Sequence, residues 1–260
     1  MSIPFVKAHA CGNDFILVDS RHVPKTVGAF AVAICDRHQG VGADGVEIIH
    51  ADPQVDARIR LINADGSDAE LSGNGTRCVA AWLISERGGN VVAIRTDAGV
   101  KTCTMTARTG QSFEFDSSMG EPAIGDPFSI RLAFREVTGV PVSMGNPHYV
   151  VFVDAFEAGW QAEAAEIERH HDFKFGTNVE LVSVRNKEDI EIRIFERGAG
   201  ETRSSGTGSC AAAAAAIHSG RAQSPLRVHA PGGSQLVRWE QNELTLRGPA
   251  QIICRGEFLL

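Results

Sequence analysis

Short runs of β-branched and aromatic residues recur along the chain at 15–18, 46–49, 58–62, 149–153, 179–184 and 190–195, and each has the length and composition of a strand. Two further apolar stretches, 78–85 and 210–218, are long enough for helices and stop before Gly88 and Gly220. They carry almost no charge, and the second contains an unbroken alanine run from Ala211 to Ala216. A surface helix needs a polar stripe, so this pattern predicts two central helices wrapped by sheet.

The pattern also repeats. Residues 59–62 (Ile-Arg-Leu-Ile) reappear as 192–195 (Ile-Arg-Ile-Phe). The same displacement carries Ser72-Gly73-Asn74-Gly75 onto Ser205-Gly206-Thr207-Gly208, Gly12-Asn13 onto Gly145-Asn146, and Val46-Glu47-Ile48 onto Val179-Glu180-Leu181. Separated segments matching in one order and one register argue for two structurally equivalent halves. The turn-rich segment from Met119 to Pro127 reads as the crossover between them, placing a first half at 1–117 and a second at 118–249. Residues 250–260 are a candidate return to the first half. The fold class expected is α+β: two pseudosymmetric halves, each a mostly antiparallel sheet curled around a central helix, with an active-site cleft between them.

Composition narrows the function classes. A chain of 260 residues with 43% hydrophobic and 22% charged residues has the balance of an ordinary globular protein. A net charge of −7 with no basic cluster argues against a nucleic-acid partner. No run of spanning length and no apolar N-terminal signal is present, so a membrane partner is not expected and the chain reads as cytoplasmic. The six cysteines are scattered, without zinc spacing, and read as small buried hydrophobes. Gly40-Val-Gly-Ala-Asp-Gly45 fits a dinucleotide fingerprint in letters, but it lies between a helix-like stretch (29–36) and a strand, the reverse of the required order. No lysine sits in a setting that suggests a pyridoxal Schiff base, and His170-His171 reads as surface without a metal partner. No metal and no cofactor are expected.

The chemistry lies in the duplicated loops. A strand leading through Ser-Gly-x-Gly into a helix presents N–H groups and a positive dipole end suited to a carboxylate. A single such loop is most simply an N-cap and a turn. Two in fixed register would place Ser72 and Ser205 on opposite sides of one bound group, as two-base racemisation requires. A serine hydroxyl is a weaker acid than a thiol and needs a neighbouring base. His148, in the turn Gly145-Asn-Pro-His148, reads as a loop histidine.

Across nearly its whole length the sequence resembles the diaminopimelate epimerase family, through Gly12-Asn-Asp-Phe15, Asp36-Arg-His38 with Gly42-Ala-Asp-Gly45, Asn63-Ala-Asp-Gly66, Gly73-Asn-Gly75, Met119-Gly-Glu-Pro122, Gly145-Asn-Pro-His148 and 196–202 (Glu-Arg-Gly-Ala-Gly-Glu-Thr). The resemblance implies a cofactor-independent isomerase interconverting L,L- and meso-diaminopimelate, as in lysine biosynthesis, with a homodimer as the assembly to consider. It implies that Asn13, Asn63, Asn146, Asn178, Glu196 and Arg197 hold the substrate, Arg197 facing a carboxylate and Glu196 an ammonium. Gly73, Asn74, Gly206 and Thr207 would bind the α-carboxylate, and His148 and Glu196 would flank the reacting carbon. The family's two proton-transferring cysteines fall at Ser72 and Ser205, replacements that fit either an engineered inactive variant or natural divergence, and Gly45 stands where a substrate-contacting glutamine can occur. Two other readings fit the same residues: a non-catalytic amino-acid binder, and an isomerase of a different small acid on the same scaffold.

Overall fold

The computed structural model describes residues 2–69, 72–97 and 99–260. The chain divides into two compact units, Met1–Ser117 with Gly248–Leu260, and Ser118–Arg247. In the first, β1 (Ser2–Ala10), β2 (Asn13–Asp19), α1 (Val27–Cys35), β3 (Gly45–His50), β4 (Ala57–Asn63), β5 (Asp68–Ala69), α2 (Gly73–Arg87), β6 (Val91–Thr96), β7 (Gly99–Thr109) and most of β8 (Ser112–Gly120) follow in order. The second contains β9 (Ala123–Ile124), β10 (Phe128–Arg131), β11 (Glu136–Ser143), β12 (Pro147–Phe152), α3 (Trp160–Glu168), β13 (Asn178–Val184), β14 (Asp189–Glu196), β15 (Gly200–Thr202), α4 (Gly206–His218), β16 (Leu226–Ala230) and β17 (Gly233–Glu240). The last strand, β18 (Glu243–Leu259), begins in the second unit and pairs antiparallel with β1 in the first.

The fold class expected from the sequence is what forms within each unit: a mostly antiparallel sheet around a central helix. Two parallel pairings interrupt each sheet, β2 with β3 and β4 with β6 in one, β12 with β13 and β14 with β16 in the other. The internal displacement extends beyond the sequence matches, carrying the start of α1 onto the start of α3 and that of α2 onto that of α4.

The strands at the centre of each unit are buried on both faces, which explains why they read as mostly apolar runs. In β3, Val46 and Ile48 pack outward with α1 residues Phe30, Ala31 and Ile34. On its other face Ile49 joins the cluster built on α2. In β13, Val179 and Leu181 pack with Ala164 and Ile167 of α3, and Val182 faces the cluster around α4. Ala211 to Ala216 are all fully buried, because α4 has sheet on every side and only a methyl group fits. Among the described residues, no helix is long and apolar enough to cross a membrane.

Several expectations are corrected. The central helices start at Gly73 and Gly206, not at Cys78 and Cys210: the Gly-rich loops are themselves the first helical turns, held by caps that offset the low helix propensity of glycine and asparagine. The crossover expected over Met119 to Pro127 is in part strand: β8 runs on to Gly120, with Met119 buried, and Ala123–Ile124 form β9. Cys254 is exposed on β18, unlike the five buried cysteines. His170 is partly buried, and it and His171 lie beside Asp172 with ligand atoms within 4.8 Å of one another. This exposed turn after α3 is the one such metal-capable group among the described residues.

Candidate active site

Each unit builds the same device. Ser72 is the N-cap of α2, with extended backbone, and its Oγ accepts from the Gly75 N–H at 3.1 Å. Ser205 caps α4 in the same way, accepting from the Gly208 N–H at 3.2 Å. The first helical bonds, Thr76 N to Ser72 O and Ser209 N to Ser205 O, also correspond. In this geometry the serine lone pair serves the cap while the hydroxyl proton remains available to an acceptor.

In the first unit the amide of Asn74 donates to Asn13 Oδ1 at 3.3 Å, and Asn13 in turn donates to Asp44 Oδ2 at 2.8 Å. Asp44 also accepts from the Asp14 N–H and from Arg37, which bridges to Asp14 Oδ1 at 2.7 Å. Lys7 lies 3.0 Å from Asp14. Burial works to raise the Asp14 pKa, but the hydrogen bonds from Arg37 and Lys7 hold it below the ordinary carboxylate range. From inside α2, the fully buried Arg77 donates to Asn74 Oδ1 and to the carbonyl of Pro249. Asn63, at the end of β4, turns to Ser67 Oγ at 3.0 Å instead of joining the Asn13 and Asn74 pair.

In the second unit the amide of Asn146 donates to Thr207 Oγ1 at 3.4 Å, in the same register as Asn74 with Asn13. Thr207 Oγ1 lies 3.5 Å from Ser205 Oγ. Asn178 joins two further site residues: its amide donates to the Pro147 carbonyl at 2.9 Å, and its Oδ1 accepts from the Arg197 N–H at 3.0 Å. The Arg197 guanidinium donates to the Phe175 carbonyl at 3.2 Å. Glu196 has its pKa raised, first by burial of the carboxyl; a hydrogen bond with Ser205 opposes this and the nearby charge of Glu180 adds to it. Ser205 therefore has a carboxyl partner, which is what a hydroxyl needs to act in proton transfer.

His148 is not a loop histidine. It sits on β12, is 2% exposed, and places Nδ1 2.8 Å from Glu180 Oε1 and Nε2 3.0 Å from Asn146 Oδ1. Glu180 and its repeat counterpart Glu47 are the residues that motif reading missed. Both are fully buried. The signal was present, a lone acid at one register inside the apolar runs 46–49 and 179–182. Glu47 has no histidine beside it, because Phe15 occupies the place equivalent to His148, and neither of its carboxyl oxygens finds a hydrogen-bond partner. Burial pushes its pKa up to about 8. Glycine at the third helical position makes room for both acids: a Cβ on Gly75 would lie 1.9 Å from Glu47 Oε1, and one on Gly208 2.7 Å from Glu180 Oε1. Gly45 is similarly confined, since a Cβ there would meet the Ile62 carbonyl at 2.9 Å.

The sequence matches the family model for diaminopimelate epimerase over residues 5–124 and 140–253. It is 38% identical to a diaminopimelate epimerase of Pelotomaculum thermopropionicum, with 98% of each chain covered, and 38% identical to one of Synechocystis, with 99% of each covered. Among solved structures, the fold is similar to a hydroxyproline epimerase from Agrobacterium vitis (TM-score 0.77, 16% identity, 98% of this chain and 90% of that one). It is also similar to a PhzF-family phenazine biosynthesis protein from Bacillus anthracis (TM-score 0.74, 16% identity, all of both chains). With matched half-sites in each unit and full-length identity of this order, the chain belongs to the diaminopimelate epimerase family.

Proposed function

We infer that this protein is a cofactor-independent, cytoplasmic epimerase that interconverts L,L- and meso-diaminopimelate by α-proton transfer, with Ser72 and Ser205 in the places of the family's two cysteines. The observation that carries the reading is the duplicated N-cap device, in which each serine Oγ is fixed at a helix start. The positive end of a helix suits the α-carboxylate and stabilises negative charge as the α-carbon is deprotonated. The Cα–H bond breaks, one hydroxyl-bearing loop receives the proton, and the other loop returns a proton to the opposite face. For Ser205 the acceptor behind the hydroxyl is Glu196, whose raised pKa lets it take up and release a proton nearer neutrality than an ordinary carboxylate. Arg197 is assigned to the distal carboxylate, which a planar guanidinium can grip with two bonds. Asn13, Asn63, Asn146 and Asn178 fix the zwitterionic groups without adding charge.

The test is incubation with L,L-diaminopimelate in deuterated water. Deuterium should appear at the α-carbon, and faster in the S72C/S205C variant, since a thiol at a helix start is the stronger acid. No exchange in either form sinks the epimerase reading. A second reading, a binder that has lost its bases, is favoured by one observation: both serine oxygens already act as cap acceptors. It predicts heat of binding that Arg197→Ala abolishes, and turnover by the native chain rules it out.

A further inference from the structure

Five groups of the second unit form one chain of contacts that starts in the core and ends at the capping serine. Glu180 Oε1 is 2.8 Å from His148 Nδ1, and His148 Nε2 is 3.0 Å from Asn146 Oδ1. The Asn146 amide donates to Thr207 Oγ1 at 3.4 Å, and Thr207 Oγ1 is 3.5 Å from Ser205 Oγ. The direction of the chain is determined by its middle. Because Asn146 uses its NH2 group on Thr207, its oxygen faces the imidazole and can only accept. The histidine therefore donates from Nε2 to Asn146, and its Nδ1 shares a hydrogen with the Glu180 carboxyl. Both side chains are buried, so this contact fixes the ring from behind.

The geometry points to Glu180 as a positioning residue of the second half-site: it fixes the His148 ring, which orients Asn146 and Thr207 beside the Ser205 hydroxyl. The assignment rests on the epimerase reading only for its kinetic consequence. The first unit is an internal control. Glu47 occupies the equivalent register against Gly75, but Phe15 stands in place of the histidine, and neither carboxyl oxygen of Glu47 has a hydrogen-bond partner. One buried glutamate is wired to its serine and the other is not.

The experiment uses the full chain labelled with 15N-histidine, with the His148 signals assigned by their loss in H148Q. In the native protein Nε2 of His148 should carry a proton, held against Asn146, and Glu180→Ala should free the ring to exchange between tautomers. An unprotonated Nε2 in the native protein, or ring signals left unchanged by Glu180→Ala, overturns the assignment whatever the activity. In the deuterium wash-in assay, E180Q should lower kcat roughly 10- to 100-fold while KM changes little, as expected for loss of a group that orients a site residue from behind. Glu47→Gln should leave kcat within about twofold, the range of a substitution outside the machinery. Equal effects of E180Q and E47Q overturn the assignment. Thr207→Val separates folding damage from wiring, because it cuts the chain beyond the pair: kcat should fall while Nε2 of His148 stays protonated. Absence of wash-in by the native chain would count against the epimerase reading alone, and the ring signals would still decide the role of Glu180.

Discussion

Glu47→Gln should stabilise the protein by an amount that grows with pH. The native carboxyl is fully buried, has no hydrogen-bond partner and titrates at about 8 against an ordinary value of 4.5. A group whose folded pKa is raised contributes stability that is complete below its unfolded pKa and is lost as pH climbs through the folded one. At about 1.36 kcal/mol per unit, the native protein should lose on the order of 5 kcal/mol through this residue across the whole window. Glutamine fills the same space and has no proton to lose, so the stability gap between variant and native protein should widen by about 3 kcal/mol between pH 5 and pH 7.5. The assay is urea unfolding across that range. Because a two-unit chain need not unfold in one step, the signal should come from Trp82 of α2, which packs on the same cluster, with Trp160 and Trp239 changed to phenylalanine. Only the slope of the gap is diagnostic, since glutamine has its own burial cost. A gap that stays flat over the window would mean that Glu47 is not a desolvated acid, and the contrast drawn between the two half-sites would fail with it.

Gly75→Ala should cost about 3 kcal/mol, near the upper end for overpacking a core, because its Cβ would fall 1.9 Å from Glu47 Oε1 and 3.3 Å from Ser72 Cβ. The same change made on top of Glu47→Ala should cost less than half as much; additive costs in a double-mutant cycle would show that the acid is not what the glycine accommodates. The acid limb of the pH–rate profile should have its midpoint above the ordinary carboxylate range, following the raised Glu196, and Glu196→Gln should remove that limb.

Reading the sequence found the scaffold more readily than the wiring. The repeat was legible because its landmarks are residues that backbone geometry requires: the serines at the two N-caps, and the glycines of the first helical turn. The strands were legible because burial on both faces leaves nothing but apolar side chains at 46–49 or 179–182, apart from one acid in each. The helix starts were placed late, because glycine and asparagine are poor helix formers and only the cap bond shows that they are helical. What Glu47 and Glu180 do could not be read along the chain at all. β2 and β3, like β12 and β13, are parallel neighbours joined by a crossover, so His148 meets Glu180 across some thirty residues of intervening chain, and Phe15 stands at the equivalent place on β2. A motif search aligns the two glutamates and stops there. The surroundings of each are decided by the side chain on the neighbouring strand, because a buried carboxyl needs a partner in place of its water. Duplication therefore preserved the acid in both halves, while one difference beside it, histidine against phenylalanine, leaves one carboxyl without a hydrogen-bond partner and gives the other a partner that leads to the capping serine.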